Sequence, residues 1–408
     1  MSAAQPDISR LGFADLVRPE VLADPYPLFQ RLRHEDPVHN DPGGRGWMVS
    51  RYQDAEFVLS DRRLSAQRTL TAERQHDVSD AVRQALSRQM LFMDPPDHTR
   101  LRALFTKAFT PSRMEALRSQ VATMVRTLFD AADARAGQID FVREFAIPLP
   151  VTVIAQLLGV PASDHPLMLG WSHALGILIG GRELSVQEAQ EAQIGIMAFV
   201  AYFRELIEQR RRTPAADMLS GLIQVEEQGD RLSTEELIVN LMLLLAAGHA
   251  TTSHLLGNGL LALSRQPSQW QLLVSDPGLV PSAVNELLRF DGPVQATARV
   301  ATEDLALGGR TIRKGDPVTV LLGAANRDET TFEQADRLNV RRQGARTLSF
   351  GHGVHTCLGA ALARMEAQVA FDALARRFPR FMVDERGIER QPSIAFRGMR
   401  ALPVALRG

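Results

Sequence analysis

The stretch at residues 233–264 constrains this chain more than any other. Ser233 is followed three residues later by Glu236, the spacing of a capping box, and Pro267 marks the far end. Between these signals apolar residues cover most faces, and the longest unbroken run is "LMLLLAAG", residues 241–248. A helix of about 32 residues at ~1.5 Å each is roughly 48 Å long, the width of a whole domain. Apolar on nearly every face, it has to be surrounded by the rest of the protein. The run of eight residues is far short of the ~20 that span a bilayer. The expectation is a body assembled around one central helix, not a membrane span.

Helical periodicity predicts further helices over 28–35, 81–87, 97–108, 112–132, 148–158, 186–212, 282–289 and 358–377. The β signals are short: "GWMVS", "RVATEDLALGGRTIRKGDPVTVLL" with Gly308–Gly309 as a hairpin turn, and "MRALPVAL". The predicted class is mainly α, with a small β region split between the two ends of the sequence. No repeat, low-complexity tract or linker divides the 408 residues, so a single domain over 1–408 is expected. With 45% hydrophobic and 23% charged residues the chain has material for a sizeable core. A formal charge of −1 provides no field to gather nucleic acid or an anionic membrane surface. "MSAAQPDISRLGF" lacks the basic start and apolar centre of a secretory signal, so a soluble cytoplasmic protein is expected.

Against that background Cys357, the only cysteine, stands in "FGHGVHTCLG". One cysteine makes no internal disulfide, and a zinc site wants several Cys or His partners at fixed spacing. It is an incidental buried thiol, a nucleophile, or a ligand to something the chain does not itself supply. Helical pattern resumes directly after it, so the thiol is placed at a helix N-terminus, where free amides favour a thiolate. Gly351, Gly353 and Gly359 let the backbone approach a flat object or take positive φ. These features suit metal ligation.

"AAGHATTSH", residues 246–254, is the anomaly of the long helix. Gly248 and Thr251–Thr252 are poor helix formers at its centre. A threonine there either bonds back to a carbonyl and bends the helix, or offers its hydroxyl to a ligand. "ELLR" spaces Glu286 and Arg289 at i, i+3, and "PPDHTRLR" puts His98 and Arg102 on one helix face. Taken singly, both are ordinary on a solvated surface. Three other motifs fail: "HEDPV" lacks the second histidine of a zinc-protease helix, "GHGVHT" the third glycine of a dinucleotide loop, and "GWSHA" the last glycine of a nucleophile elbow.

Together the pieces resemble the cytochrome P-450 family of haem-thiolate monooxygenases, in its soluble bacterial form. Phe350, Gly353, His355, Cys357 and Gly359 match the family's haem-binding loop, F-x-x-G-x-[HR]-x-C-x-G. "ELLR" matches its E-x-x-R pair, "DRL" with Arg337 its partner segment, and "DPPDHTRLRALFTKAF", "AGHATT" and "DPYPLFQRLRHEDPVH" extend the likeness along nearly the whole chain. The resemblance implies the family's fold, a large helical body around haem b with small sheets. It implies Cys357 as the axial ligand of the haem iron, whose thiolate electron density favours oxygen activation. It implies propionate contacts from His98, Arg102, Arg299 and His355, and a structural cluster of Glu286, Arg289 and Arg337. Thr251 matches the threonine that assists proton delivery, but the family's preceding acid is replaced by Ala250.

By the same analogy the substrate pocket is lined by Leu243, Leu244, Ala247, Gly248, Val294, Thr297 and Phe396, with the 65–91 loop and the 170–195 segment. The apolar "WSHALGILIGG", ending in Gly180–Gly181, is expected to be a mobile lid. The implied substrate is an apolar or amphipathic small organic molecule, such as a polyketide or terpenoid scaffold. Electrons come from a separate ferredoxin and ferredoxin reductase, with NAD(P)H involved only through them, and Lys107, Arg113, Arg346 and Arg364 are the expected docking cations. A monomer is expected. Ala250 keeps two alternatives open: a peroxide-driven peroxygenase, or a non-catalytic haem-thiolate ligand-binding protein.

Overall fold

A computed structural model describes residues 7–68, 79–107, 109–179, 184–227, 232–344 and 346–408. Its centre is the helix Thr234–Ser264. The expected capping box is formed: the Ser233 amide donates to the Glu236 carboxylate at 3.0 Å, and the Glu236 amide donates to the Ser233 hydroxyl at 3.2 Å. This is the one helix among the described residues long and apolar enough to cross a membrane, and 72% of its most apolar window is covered by protein. The helices Pro148–Leu157, Val186–Arg212, Val280–Asp291 and Ala360–Arg377 pack around it. Leucines at 237, 241, 245, 255, 256, 260, 261 and 263 are all nearly inaccessible, and each such burial contributes about 1.5–3 kcal/mol.

The small β region joins distant parts of the chain. Five strands run in the order Val38–Asn40, Trp47–Val49, Pro317–Leu321, Ala296–Ala301, Leu64–Ser65. The Trp47–Val49 and Pro317–Leu321 pair is parallel, and the remaining pairs are antiparallel. Gly308 and Gly309 both have positive φ, 56° and 74°, which turns the hairpin between Leu305–Leu307 and Arg310–Ile312. The "MRALPVAL" signal divides into Met399–Ala401 and Pro403–Arg407, and the second of these pairs with Gln138–Asp140 and Arg380–Val383.

Several boundaries differ from the periodicity reading. The segment expected as one helix over 112–132 breaks at Leu117 into Pro111–Ala116 and Arg118–Asp133. The Leu117 amide closes a tight turn on the Met114 carbonyl at 3.1 Å, a break that no Gly or Pro marks. Helices Tyr52–Ser60, His165–Ile179, Met218–Glu227 and Pro267–Ser275 were not anticipated. The expected helix 358–377 begins only at Ala360. The Gly180–Gly181 pair and residues 69–78 of the 65–91 loop lie outside the described residues.

Candidate active site

The long helix has one break in its burial. Between Leu237 and Leu263 every residue is buried except Leu244, Ala247, Gly248, Ala250 and Thr251. Leu244, Ala247, Gly248 and Thr251 form one stripe at i, i+3, i+4 and i+7 spacing, with Ala250 partly open beside it, so the central helix leaves one face uncovered. The Thr251 hydroxyl donates to the Ala247 carbonyl at 2.9 Å, and the helix remains continuous. Its proton is committed to the backbone, which leaves the oxygen as an acceptor. Gly248 has a packing role: an added Cβ would stand 2.8 Å from Ile154 Cγ1, so the helix Pro148–Leu157 approaches closely there. Leu243, expected in the pocket wall, is buried in the main apolar core, while Leu244 is partly open.

The cysteine loop consists of two short 3₁₀ turns, Leu348–Phe350 and Gly353–His355, followed by Cys357 and the helix Ala360–Arg377. Gly351 and Gly353 have φ of 70° and 69°, the positive values the sequence allowed for. A Cβ on Gly353 would stand 2.9 Å from the Leu59 carbonyl oxygen, so the loop lies hard against the Tyr52–Ser60 helix. The Cys357 amide donates to the Phe350 carbonyl at 2.8 Å and folds the cysteine back over the loop. Cys357 has accessible surface, yet enough protein surrounds it that desolvation acts on the thiol; such a group sits on the wall of a cleft. Burial raises its pKa, outweighing the Gly359 amide and the Arg102 and Arg364 guanidiniums that pull it down. The Gly359 amide at the helix start pulls the thiol pKa down as the sequence suggests, while burial acts more strongly in the opposite direction.

Beside this loop lies a concentration of positive charge. The His98 and His355 rings are 4.1 Å apart. Both His98 nitrogens and His355 Nε2 are buried without a hydrogen-bond partner among the described residues. Arg102 donates to the carbonyl of Thr356, the residue before Cys357. Arg299 is buried and bonds the Ala298 carbonyl at 2.9 Å. Burial and the neighbouring Arg299, His98, Arg68 and Arg102 hold the pKa of His355 down to about 3, and burial with Arg102 lowers that of His98. Burial lowers Arg299 to about 10, and burial with Arg299 lowers Arg68 to about 9. Asp94 is the acid in range of His98 and Arg299, and its oxygens accept from the Ser65 hydroxyl and the Ala66 amide. Desolvated cations and orphaned imidazole donors around one point suit a group bearing two carboxylates.

Arg68 escaped the sequence reading. It donates to the Thr297 hydroxyl at 3.3 Å and the Ala298 carbonyl at 3.0 Å, and its guanidinium lies 4.9 Å from the Phe92 ring centre. No local pattern marks it; only the fold brings it to Arg299. Thr297 and Val294 are partly open, and Val294 bridges to Phe396.

Glu286 and Arg289 form a bidentate pair, both contacts at 2.8 Å and both side chains 0% exposed. Arg289 also donates to the carbonyls of Asn326 and Ala335, at 2.9 and 2.7 Å. The expected third member is corrected. Arg337 is exposed and contributes only its carbonyl, whereas Arg342 donates to Glu286 at 3.0 Å. Arg342 lies five residues further on, where the chain turns back beneath the pair, and spacing alone does not reveal that turn.

A family model described as cytochrome P450 matches residues 174–273 and 277–396. The chain is 40% identical to cytochrome P450 107B1 of Saccharopolyspora erythraea, over 93% of this chain and 95% of that protein. It is 39% identical to mycinamicin IV hydroxylase/epoxidase of Micromonospora griseorubida, over 94% and 95% of the two. The crystal structure of CalO2 matches with a TM-score of 0.91 at 33% identity, covering 97% of this chain and 99% of that one. The chain belongs to the cytochrome P450 family. It is a monooxygenase, an oxidoreductase with the P450 fold, and the family implies a haem cofactor. The residues of this P450 fit haem: a desolvated thiol on a cleft wall stands beside unpartnered nitrogens and depressed cations that call for two carboxylates.

Proposed function

We propose that Cys357 gives the thiolate that binds haem iron, that His98, Arg102, Arg299 and His355 hold the haem carboxylates, and that the protein inserts one oxygen atom from dioxygen into an apolar or amphipathic organic molecule. The observation that carries this reading is the set of buried, unpartnered His98 and His355 nitrogens beside the Cys357 loop. When bound, haem supplies the redox chemistry that activates dioxygen. The chain's own residues set the surroundings. Arg102, through the Thr356 carbonyl, ties the Asp97–Thr106 helix to the backbone carrying the thiol, so the charge that meets a carboxylate also fixes the cysteine. The guanidinium of Arg364 lies 4.4 Å from the Phe350 ring centre and holds that ring in the loop. Gly353 lets the loop lie hard against the Tyr52–Ser60 helix, and Gly359 leaves open space beside the cysteine. The Thr251 oxygen accepts from water or substrate in the cleft.

The open stripe at Leu244 and Ala247, with Val294, Thr297 and Phe396, favours hydrophobic contact with few polar anchors. Likeness to a mycinamicin-oxidising enzyme supports a secondary-metabolite scaffold of polyketide or terpenoid type, hydroxylated or epoxidised. Electrons are supplied by a separate ferredoxin and reductase, with NAD(P)H feeding them. Lys107, Arg113 and Arg346 are exposed and available for docking, but Arg364 is tied to Asn285 at 2.9 Å and stacked on Phe350, so it leaves the proposed face. We place the protein in the cytoplasm as a single-domain monomer.

Ala250, partly open beside the stripe where an acid is expected, favours a second reading, in which peroxide replaces dioxygen and electrons. The spectrum of the dithionite-reduced protein with carbon monoxide tests the first claim: a strongly red-shifted Soret band is expected, and a band typical of histidine ligation overturns Cys357. NADPH-driven and peroxide-driven turnover on the same sample then separates the two oxygen sources.

A further inference from the structure

The strand Leu64–Ser65 pairs antiparallel with Ala296–Ala301, with Ser65 opposite Val300. Continuing that register places Arg68 at the level of Thr297. Its guanidinium donates to the Thr297 hydroxyl at 3.3 Å and to the Ala298 carbonyl at 3.0 Å. Arg299 donates to that same carbonyl oxygen at 2.9 Å. One oxygen, with its two lone pairs, therefore holds two guanidiniums side by side. The buried Phe92 ring covers Arg68, its centre 4.9 Å from the guanidinium, while the residue itself stays partly open. Burial and the neighbouring Arg299 lower the pKa of Arg68 to about 9.

Two like charges at one oxygen repel each other unless an anion joins them. Asp94 is the acid that acts on Arg299, but its oxygens already accept from the Ser65 hydroxyl and the Ala66 amide. The cations sort into two groups. Arg102 acts most on His98, and Arg299 acts most on His355, where Arg68 also outweighs Arg102. His355 Nε2 is buried without a hydrogen-bond partner among the described residues, so the missing anion has to reach the cysteine loop itself. We propose that Arg68 joins Arg299 and His355 at one of the two haem carboxylates, leaving the other to Arg102 and His98. The inference rests on the haem reading above and adds to it a residue from a different part of the chain. Arg68 also bonds Thr297, so the same clamp fixes the first residues of the 65–91 loop against the strand Ala296–Ala301.

The test measures haem transfer from the purified holoenzyme to excess apomyoglobin, with no substrate added. Arg68→Gln is expected to speed release at least about tenfold, the loss that a hydrogen bond to a charged group implies. Combined with Arg299→Gln, its effect is expected to depart from the product of the two single effects by more than about twofold, because both act on one carboxylate. The reduction potential of the haem iron is expected to fall in Arg68→Gln and to stay near wild type in Arg68→Lys, a difference that a packing role does not produce. Unchanged release and potential in Arg68→Gln overturn the proposal. So does unchanged release together with weaker binding of laurate, read from the Soret shift, which would assign Arg68 to a substrate carboxylate. Should Arg68→Gln fail to load haem, Arg68→Lys carries the test: faster release at unchanged potential is expected, and release equal to wild type overturns it. The carbon monoxide band is expected to stay red-shifted in every variant; its absence already in wild type would sink the haem-thiolate reading and this inference with it.

Discussion

The rings of His98 and His355 lie 4.1 Å apart and tilted by 46°, one on the Asp97–Thr106 helix and the other in the loop that leads to Cys357. Residues 257 positions apart in sequence thus present unpartnered donors to one point. Burial and the surrounding arginines hold the pKa of His355 down to about 3, which leaves a site that favours an incoming carboxylate. Replacing either histidine by alanine removes a hydrogen bond of about 1 kcal/mol. Haem release to a scavenger protein is expected to quicken by roughly fivefold for each variant. Unchanged release would remove these histidines from the carboxylate site.

The Glu286–Arg289 pair predicts an unequal response. Each group is fully buried, so removing one strands the other, at a cost of about 3–5 kcal/mol. Denaturant unfolding of Glu286→Ala or Arg289→Ala is expected to show that loss. Arg342→Ala is expected to be destabilising as well, because its partner Glu286 is buried. Arg337→Ala is expected to stay within about 0.5 kcal/mol. Equal effects at Arg337 and Arg342 would contradict the geometry.

His254 predicts an acid-sensitive core. Burial, with a contribution from His249, lowers its pKa from 6.5 to about 4. The unfolded chain therefore takes up a proton below about pH 6.5 that the folded chain refuses until about pH 4. Stability is lost as pH falls through that window, and the full effect of one such group is about 3 kcal/mol. His254→Leu is expected to show a shallower decline between pH 7 and 4 in unfolding experiments than wild type; parallel curves would refute the assignment.

Thr251 and Thr252 separate a role in the cleft from a role in the helix. Both bond back one turn, to Ala247 and Gly248, but only Thr251 lies on the open stripe. Thr251→Ala is expected to lower the product formed per NADPH at least ~10-fold, a smaller loss than the roughly 10²–10⁴-fold of a direct proton-transfer group because Thr251 acts by ordering water. Thr252→Ala is expected to leave that ratio unchanged. Ala250→Glu tests the missing acid: a raised ratio would show that Ala250 limits proton delivery, and a fall from near-complete coupling would show that delivery runs by another route.

Much of this was legible in the residues. The capping box at Ser233 and Glu236, the glycine turn at 308–309 and the Cys357 loop are local signals, and each folds as its chemistry requires. Positive φ, cap geometry and apolar periodicity are properties of a few neighbouring residues, so a sequence carries them openly. The break at Leu117 was not legible, because no residue there departs from helical preference.

By itself the sequence determined that a central helix had to be buried, that the lone cysteine sat in a glycine-rich turn before a helix, and that Glu286 and Arg289 shared a helix face. Tertiary structure decided which charges meet. It brought Arg68 and Arg299 together beside His355, chose Arg342 over Arg337 for Glu286, and set burial against the Gly359 amide at the Cys357 thiol. The reason is one of range: caps, turns and periodicity act within a few residues, while desolvation and Coulomb interactions depend on everything the fold packs nearby.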